Sequence, residues 1–513
     1  LRTKHALKNI SISIFSQIII ILLGFVSRKI FLDNLGAEYL GVNGLLTNIL
    51  SIIILIEGGI GGSIVYNLYK PLAENDHEKV AALVQLYKKA YLVLAIIILV
   101  ISCALYPFLG MLMKGGSTIP GMAIVYFIFV AKNMALYINS HRVALINADQ
   151  RGYVLARINL IFQILTTVTK IAILVVTKSY ILYLLVELVI FLIQTIISAI
   201  IVEKKYPYIN EQKCIIDVET KENITKNVKA MFLHNIGGYC VFGTDNILIS
   251  SFVGVIAVGL YSNYTMIIGQ LSSLITPIIS GIGAGVGNLI ATESKEKNYS
   301  IFKITYFISF WIHSFCVIFL YNLIEPFISW WIGASYLLDK FTFIVILLNF
   351  YLMGMRLAIS TFKNKAGLFV QDKYAPLLEG LINLIASIIL VKYLGLVGIF
   401  IGTTISTLSI VFWNQPRIVY KHVFKVPLIS YFNKYAIYGA LTIIVGFITT
   451  FACNSVVSLD NFTFISLIIR GVICLVVPNL IYFILFFKTE EFQYLWQNIF
   501  KNIFVKLKVK VSF

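Results

Sequence analysis

The chain has 513 residues, of which 59% are hydrophobic and 12% charged, with a mean hydropathy of +0.90. Soluble proteins carry about 25% charged residues, so this composition excludes a soluble domain of useful size and marks an integral membrane protein. The net charge of +18 would suit nucleic acid in a soluble protein. Here the bases cluster between apolar runs, the positive-inside pattern, and nucleic acid is excluded as a partner.

A membrane span needs about 20 apolar residues, a rule that predicts about fourteen spans. They are 9–32, 41–69, 90–111, 119–140, 153–176, 180–202, 229–251, 257–289, 301–323, 341–362, 374–394, 396–419, 431–453 and 463–487. The first follows Arg2, Lys4 and Lys8. It is too long for a signal-peptide core and lacks a small-x-small cleavage site, so it is expected to be a true span. The eighth is overlong and is expected to end in an interfacial turn. Two stretches are expected to be interfacial helices: one carries Val80, Leu83, Val84 and Tyr87 at helical spacing, the other Phe492, Leu495, Trp496, Ile499, Phe500, Ile503 and Phe504. The longest connection, 203–228, is polar and follows six spans. The expected fold is all-α: a first bundle at 1–202, the linker 203–228, a second bundle at 229–420, two further spans in 421–487 and an amphipathic tail at 488–513. Lys and Arg crowd the loops after even-numbered spans, which predicts that both termini are cytoplasmic in a plasma-membrane protein.

The six cysteines (103, 214, 240, 316, 453 and 474) show no CxxC spacing, and the six histidines give no HExxH. They read as small buried hydrophobes and scattered polar groups, so neither a metal nor a cofactor is expected.

A shift of 218 residues lays Gly36 on Gly254 and Gly41 on Gly259, each pair bracketing the same outer corner. AENDHEK at 73–79 then resembles TESKEK at 292–297, and ADQRGY at 148–153 resembles VQDKY at 370–374. Gly58-x-x-x-Gly62 has a counterpart in Gly281-x-x-x-Gly285. Two six-span halves in the same orientation relate by an axis along the membrane normal, as in alternating-access carriers. The glycine runs read either as close helix packing or as flexible hinges.

Charges inside the spans are costly, and by default they mark function. The bases are Arg28, Lys132, Arg157, Lys170, Arg356 and Arg470; the acids are Glu57, Glu187, Asp245 and Glu379. Arg157, Glu379, Lys170 and Arg470 are expected to snorkel towards an interface. Arg28, Lys132, Arg356, Glu57 and Asp245 are expected to face a hydrated cavity or one another; a buried structural pair such as Arg28 with Asp245 is the alternative. Fixed cations favour an anionic cargo, and arginine suits phosphate through its planar donor fork.

The run RKIFLDNLGAEYLGVNGLLTNILSIIILIEGGIGGSIVYNLYKPLAENDHEKV at 28–80 resembles lipid-linked oligosaccharide flippases of the Wzx type. So do HNIGGYCVFGTDNILISSFVGVIAVGLYSNYTMI at 234–267, WWIGASYLL at 330–338 and the stretch 365–421. These belong to the polysaccharide transporter family of the multidrug/oligosaccharidyl-lipid/polysaccharide exporter (MOP) superfamily. The resemblance implies the MATE-like fold of the multidrug exporters and the lipid II flippase, with a cavity between helices 1–6 and 7–12. It implies transfer of an undecaprenyl-pyrophosphate-linked repeat unit to the outer leaflet for capsule, exopolysaccharide or teichoic-type polymer. Arg28 matches the family's cationic lining by position, with Lys132 and Arg356 as further candidate cations. The TDN at 244–246 implies a role for Asp245, with Glu57, in pairing or in contact with a coupling cation, H+ or Na+. Gly58, Gly62, Gly281 and Gly285 are the candidate hinge or packing positions. A monomer with a polymerase as a further partner is expected, and no covalent chemistry. A multidrug antiporter would share the fold but would need acids to dominate the cavity. A membrane glycosyltransferase or polymerase would need a larger outer loop and paired carboxylates.

Overall fold

The computed structural model describes residues 2–54, 60–114, 119–149, 151–210, 222, 243–368, 371–457 and 463–497. Among them every regular element is helical. In the first part run α1 (Arg2–Leu35), α2 (Ala37–Ile54), α3 (Ile60–Ala73), α4 (His77–Leu105), α5 (Met122–Ala148), α6 (Tyr153–Thr177) and α7 (Tyr180–Lys205). A helical turn at Asp245–Leu248 and a π-helical turn at Ile249–Val253 lead into α8 (Val255–Thr292). Then come α9 (Lys295–Trp331), α10 (Lys340–Lys365), α11 (Ala375–Leu394), α12 (Leu396–Phe424), α13 (Ile429–Val456), α14 (Phe464–Phe486) and a short α15 (Glu490–Leu495).

Ten helices among the described residues are long and apolar enough to cross a membrane. They coincide with the third to sixth and ninth to fourteenth predicted spans. The protein is therefore an all-α, multi-pass membrane protein. Polar residues set the helix ends. The side chains of Asp76, Ser179, Ser294, Asp339, Thr463 and Thr489 each accept from a backbone N–H three residues on, occupying donors that a helix start leaves open. The single residue Gly395, at φ +65°, turns α11 into α12.

Three local expectations are corrected. The eighth run does not end in a turn: α8 is continuous over 38 residues, or about 57 Å at a rise of 1.5 Å per residue. The stripe of Val80, Leu83, Val84 and Tyr87 is not a separate interfacial helix. It lies in α4 and is buried, with Gln85 Nε2 donating to the Ile209 carbonyl at 3.2 Å. In the tail, Phe492 and Leu495 pack into the protein instead of lying on lipid; 498–513 lies outside the described residues. So do Glu57, Gly58 and nearly all of the 203–228 linker beyond Asn210. Gly62, Gly281 and Gly285 fall within helices α3 and α8.

The chain forms two compact units, Leu1–Ser262 and Asn263–Phe513. The second has an aromatic core. Phe302, Tyr306 and Phe310 recur one turn apart on α9 and meet Tyr431 and Tyr438 of α13 and Tyr482 of α14. The Phe310 and Tyr438 rings stack with centroids 4.0 Å apart.

The first unit contains the glycine corners of the repeat. Gly36 and Gly254 both have positive φ, +84° and +137°, immediately before α2 and α8. Four residues into α2 a Cβ on Gly41 would lie 1.9 Å from the Val255 carbonyl oxygen, and a Cβ on Gly259 would lie 2.1 Å from that of Ala37. Each helix start thus crosses the other where only glycine fits.

Candidate functional site

Four helices of the first unit, α1, α5, α6 and α7, line an open polar cavity of about 440 Å³. Its charged groups come from three of them. Lys132 on α5 and Lys170 on α6 are both hydrogen-bonded to Glu187 on α7, one at each carboxylate oxygen. Asn159 and Gln163 of α6, Gln194 of α7 and Ser27 of α1 complete the polar wall. Lys132 lies ten residues into α5, while Lys170 and Glu187 are each seven residues from the turn joining α6 to α7. At 1.5 Å per residue these groups sit roughly 10 to 15 Å from the nearest helix ends, within the depth of a bilayer core.

The wall behind the lysines is aromatic. Lys170 Nζ lies 4.1 Å from the centroid of the Tyr183 ring, one helical turn before Glu187. Phe31 of α1 meets Tyr183 edge-on at 5.3 Å, and the Arg28 guanidinium acts electrostatically on Tyr183. Arg28 is therefore next to the cavity, half-buried, beside its lining residue Ser27. Counting Lys132 and Lys170 against Glu187 leaves one positive charge in the cavity, with the Arg28 guanidinium nearby.

Lys170 was expected to snorkel, and Glu187 was counted among the intramembrane acids without a role. Lys170 does not snorkel to an interface; only 14% of its side chain is accessible, and it is held by Glu187. The missed signal was register. Residues equidistant from a tight helical turn face each other across an antiparallel pair, and both lie seven residues from it.

The other candidates fall elsewhere. Arg356 on α10 pairs with Glu379 on α11 at 2.8 Å in the second unit. That carboxylate is buried and also bonded by Thr407. Below it, Lys363 binds Asp372, both almost fully buried, and Asn414 Nδ2 donates to the other Asp372 oxygen at 2.6 Å. Arg470 does not snorkel either: it is buried and donates to Asn454 Oδ1 at 2.7 Å and to the Asn322 carbonyl. Asp245 opens the helical turn before the Gly254 corner. Asn48 Nδ2 of α2 donates to the Gly243 carbonyl at 3.0 Å and Asn246 Nδ2 to that of Gly44 at 3.5 Å. Asp245 Oδ1 is buried, and among the described residues no hydrogen-bond donor reaches it.

Ten helices long and apolar enough to cross a membrane, with a charged polar cavity lined by four helices of the first unit, define a multi-pass membrane protein with a charged internal site. The chain belongs to the polysaccharide biosynthesis protein family, whose profile it matches over residues 6–282. No curated protein sequence matches it. Among solved structures it is similar to the lipid II flippase MurJ in an inward closed conformation, with a TM-score of 0.66 and 16% identity over 92% of this chain and 98% of that one. It is also similar to an inward-facing multidrug resistance MATE family transporter of the MOP superfamily, with a TM-score of 0.57 and 15% identity over 78% of this chain and 94% of that one. The MATE transporter VcmN of Vibrio cholerae gives a TM-score of 0.53 at 12% identity, covering 81% of this chain and 97% of that one. At these identities the likeness establishes the fold, which is that of MurJ and the MATE transporters.

Proposed function

We propose that the chain is a flippase that moves undecaprenyl-pyrophosphate-linked oligosaccharide units from the inner to the outer leaflet by alternating access. The single observation that carries this reading is the cation excess around Glu187. A family that serves polysaccharide biosynthesis needs a carrier for a phosphorylated lipid, and this chamber offers fixed bases in a low dielectric. Glu187 is the resident anion, which accepts from both Lys132 and Lys170 and offsets one of their two charges while the site is empty. An arriving pyrophosphate takes over their hydrogen bonds, and Arg28 adds a planar donor fork. The cavity volume falls within the roughly 300–1,000 Å³ of small-molecule sites, room for the diphosphate and the first sugar. Asn159, Gln163 and Gln194 supply amides for sugar hydroxyls. The polyprenyl chain stays in lipid against the exposed Ile161, Leu165 and Val168 of α6.

Arg356 has a carboxylate of its own, which supports a bracing role for it better than direct contact with cargo. Asp245 is the coupling candidate, because a proton or Na+ would satisfy a buried oxygen that lacks a donor. The Lys and Arg distribution supports cytoplasmic termini. An organic-cation exporter on this fold would meet like charge in the chamber, which disfavours it.

The test uses proteoliposomes carrying the full chain and a polyprenyl-pyrophosphate-linked N-acetylglucosamine, with the fraction of glycan reaching the far leaflet measured over time. A hydrogen bond to a charged group is worth about 1.5–3 kcal/mol, so Lys170→Gln is expected to lower headgroup affinity roughly 10- to 150-fold. Transport by Lys170→Gln and by Arg28→Gln at the wild-type rate would overturn the assignment.

A further inference from the structure

We propose that a second, separate site on this protein binds an anionic glycerophospholipid of the surrounding bilayer. It lies in the second unit, where the segment before α11 meets the last turns of α12. A cavity of about 490 Å³ there is lined by Lys373, Tyr374 and Leu378 on one side and by Ile410, Trp413 and Arg417 on the other.

Charge argues for the headgroup. Lys373 and Arg417 are both exposed, and among the described residues neither forms an ion pair. The nearby carboxylate, Asp372, is turned inward and 3% exposed, its oxygens taken by Lys363 and Asn414. The cavity therefore presents two cations and no lining anion. The N-terminus of α11, a helix of 20 residues, adds its partial positive charge. Gln371 and Ser409 supply neutral hydrogen-bonding groups at the rim.

Depth and shape argue for a lipid rather than a soluble anion. Tyr374 and Trp413 are 63% and 55% exposed, large aromatics at the end of a spanning helix pair, where such rings mark headgroup level. Below them Leu378, Leu381, Ile385 and Ile389 run down one face of α11, each about half exposed. That stripe has the spacing and polarity to receive an acyl chain. Lys363, Lys365, Lys421 and Lys425 crowd the same end of the helices, so this is the face whose leaflet draws basic segments to anionic lipid. The site shares no residue with the Lys132–Glu187–Lys170 cavity and does not depend on what that cavity carries.

The experiment titrates the full-length chain, purified in detergent, with phosphatidylglycerol or phosphatidylcholine and counts bound lipid by native mass spectrometry. Phosphatidylglycerol is expected to be retained in preference, and the double variant Lys373→Gln/Arg417→Gln to weaken its retention about 30-fold. Both side chains are exposed, so the fold is expected to survive; a circular dichroism melt at the wild-type temperature verifies this. The control pair Lys365→Gln/Lys421→Gln, outside the cavity, is expected to leave retention unchanged. Equal retention of the two lipids, or equal loss in the control pair, would overturn the proposal. So would full displacement by glycerol 1-phosphate, which would make the ligand a free anion. Displacement by a polyprenyl pyrophosphate at tenfold lower concentration would overturn it in favour of a cargo entry point.

Discussion

Among the described residues of the unit Asn263–Phe513, each buried charge is held by partners of its own, a single carboxylate for each of Lys363 and Arg356 and neutral acceptors for Arg470. Lys363 has Asp372, Arg356 has Glu379, and Arg470 has Asn454 and the Asn322 carbonyl. The same unit has a closely packed aromatic core. In the unit Leu1–Ser262, Lys132 and Lys170 share the single carboxylate of Glu187 across an open polar cavity, with Arg28 at its edge. The difference teaches that stoichiometry separates a brace from a site. One-to-one pairing inside a membrane satisfies the groups and ends there. Two bases on one acid leave unspent charge, and water-accessible space beside it gives that charge something to bind.

The comparison breaks most visibly at its tightest brace. Removing one partner of a buried pair strands the other, at about 3–5 kcal/mol. Lys363→Met is expected to cost stability of that order, read as a large drop in the thermal unfolding temperature in detergent. Headgroup affinity per folded molecule should not change. A variant as stable as wild type would show that one-to-one pairing in the second unit is not structural.

Much of this was legible in the sequence, for identifiable reasons. The all-α fold and the positions of α4–α7 and α9–α14 follow from apolar length, because a bilayer sets the helix length directly. The Gly36–Gly254 and Gly41–Gly259 correspondence was readable because positive φ and a carbonyl against Cα admit only one residue type. Arg28 and Lys132 were recognisable as costly charges. Their partners were harder to see, because a lysine near a helix end has a cheap explanation in snorkelling. Whether Lys170 turns to lipid or to Glu187 depends on helix rotation, which α6 encodes only in the pattern of Asn159, Gln163, Thr166, Thr167 and Lys170 along one face, a signal that weighing each charge by its depth passes over. The α4 stripe shows the same gap: helical periodicity reveals that a face is apolar, but not whether lipid or protein covers it.

A comparison within the repeat itself comes next in size. Gly41 and Gly259 occupy equivalent places and meet each other's corner carbonyls reciprocally. Overpacking costs about 1–3 kcal/mol, and Gly41→Ala and Gly259→Ala are expected to lose similar amounts within that range. A harmless change at one and a severe one at the other would break the equivalence. Gly36→Ala, where nothing lies within 4 Å of a built Cβ, should show the smaller cost of positive φ alone.

The charge contrast sharpens further when the acids are neutralised one at a time. Glu187→Gln removes the anion that competes with phosphate in the first unit, and headgroup affinity is expected to rise about tenfold, the equivalent of 1.4 kcal/mol. Glu379→Gln leaves Arg356 without its partner in the second unit and is expected to lower stability with no gain in affinity. Titration with a soluble pyrophosphate, read by thermal shift, separates the two. A fall in affinity for Glu187→Gln would make the carboxylate an organiser of the lysines and no longer a stand-in for the cargo.

The smallest effect is expected at the end of the second unit, where one-to-one pairing reaches the membrane surface. Lys434 Nζ on α13 donates to Glu491 Oε1 on α15 at 2.6 Å. Burial alone would raise the Glu491 carboxyl, but the hydrogen bond from Lys434, a backbone hydrogen bond and the attraction of Lys434 and Lys303 outweigh it. The group is held below the ordinary carboxylate range. A carboxylate depressed on folding adds stability that is complete above its unfolded value of about 4.3 and fades as pH falls through the folded one. Lys434 is more than a third exposed, so screening limits the pair to less than about 1 kcal/mol. Acidification below the ordinary carboxylate value should therefore release α15 first, seen as faster amide exchange over Glu490–Leu495. Glu491→Gln should abolish that pH dependence and leave the Lys132–Glu187–Lys170 cavity untouched. If exchange over α15 were independent of pH in the wild type, the helix would be held by Phe492 and Leu495 alone, and the surface pair would carry none of its stability.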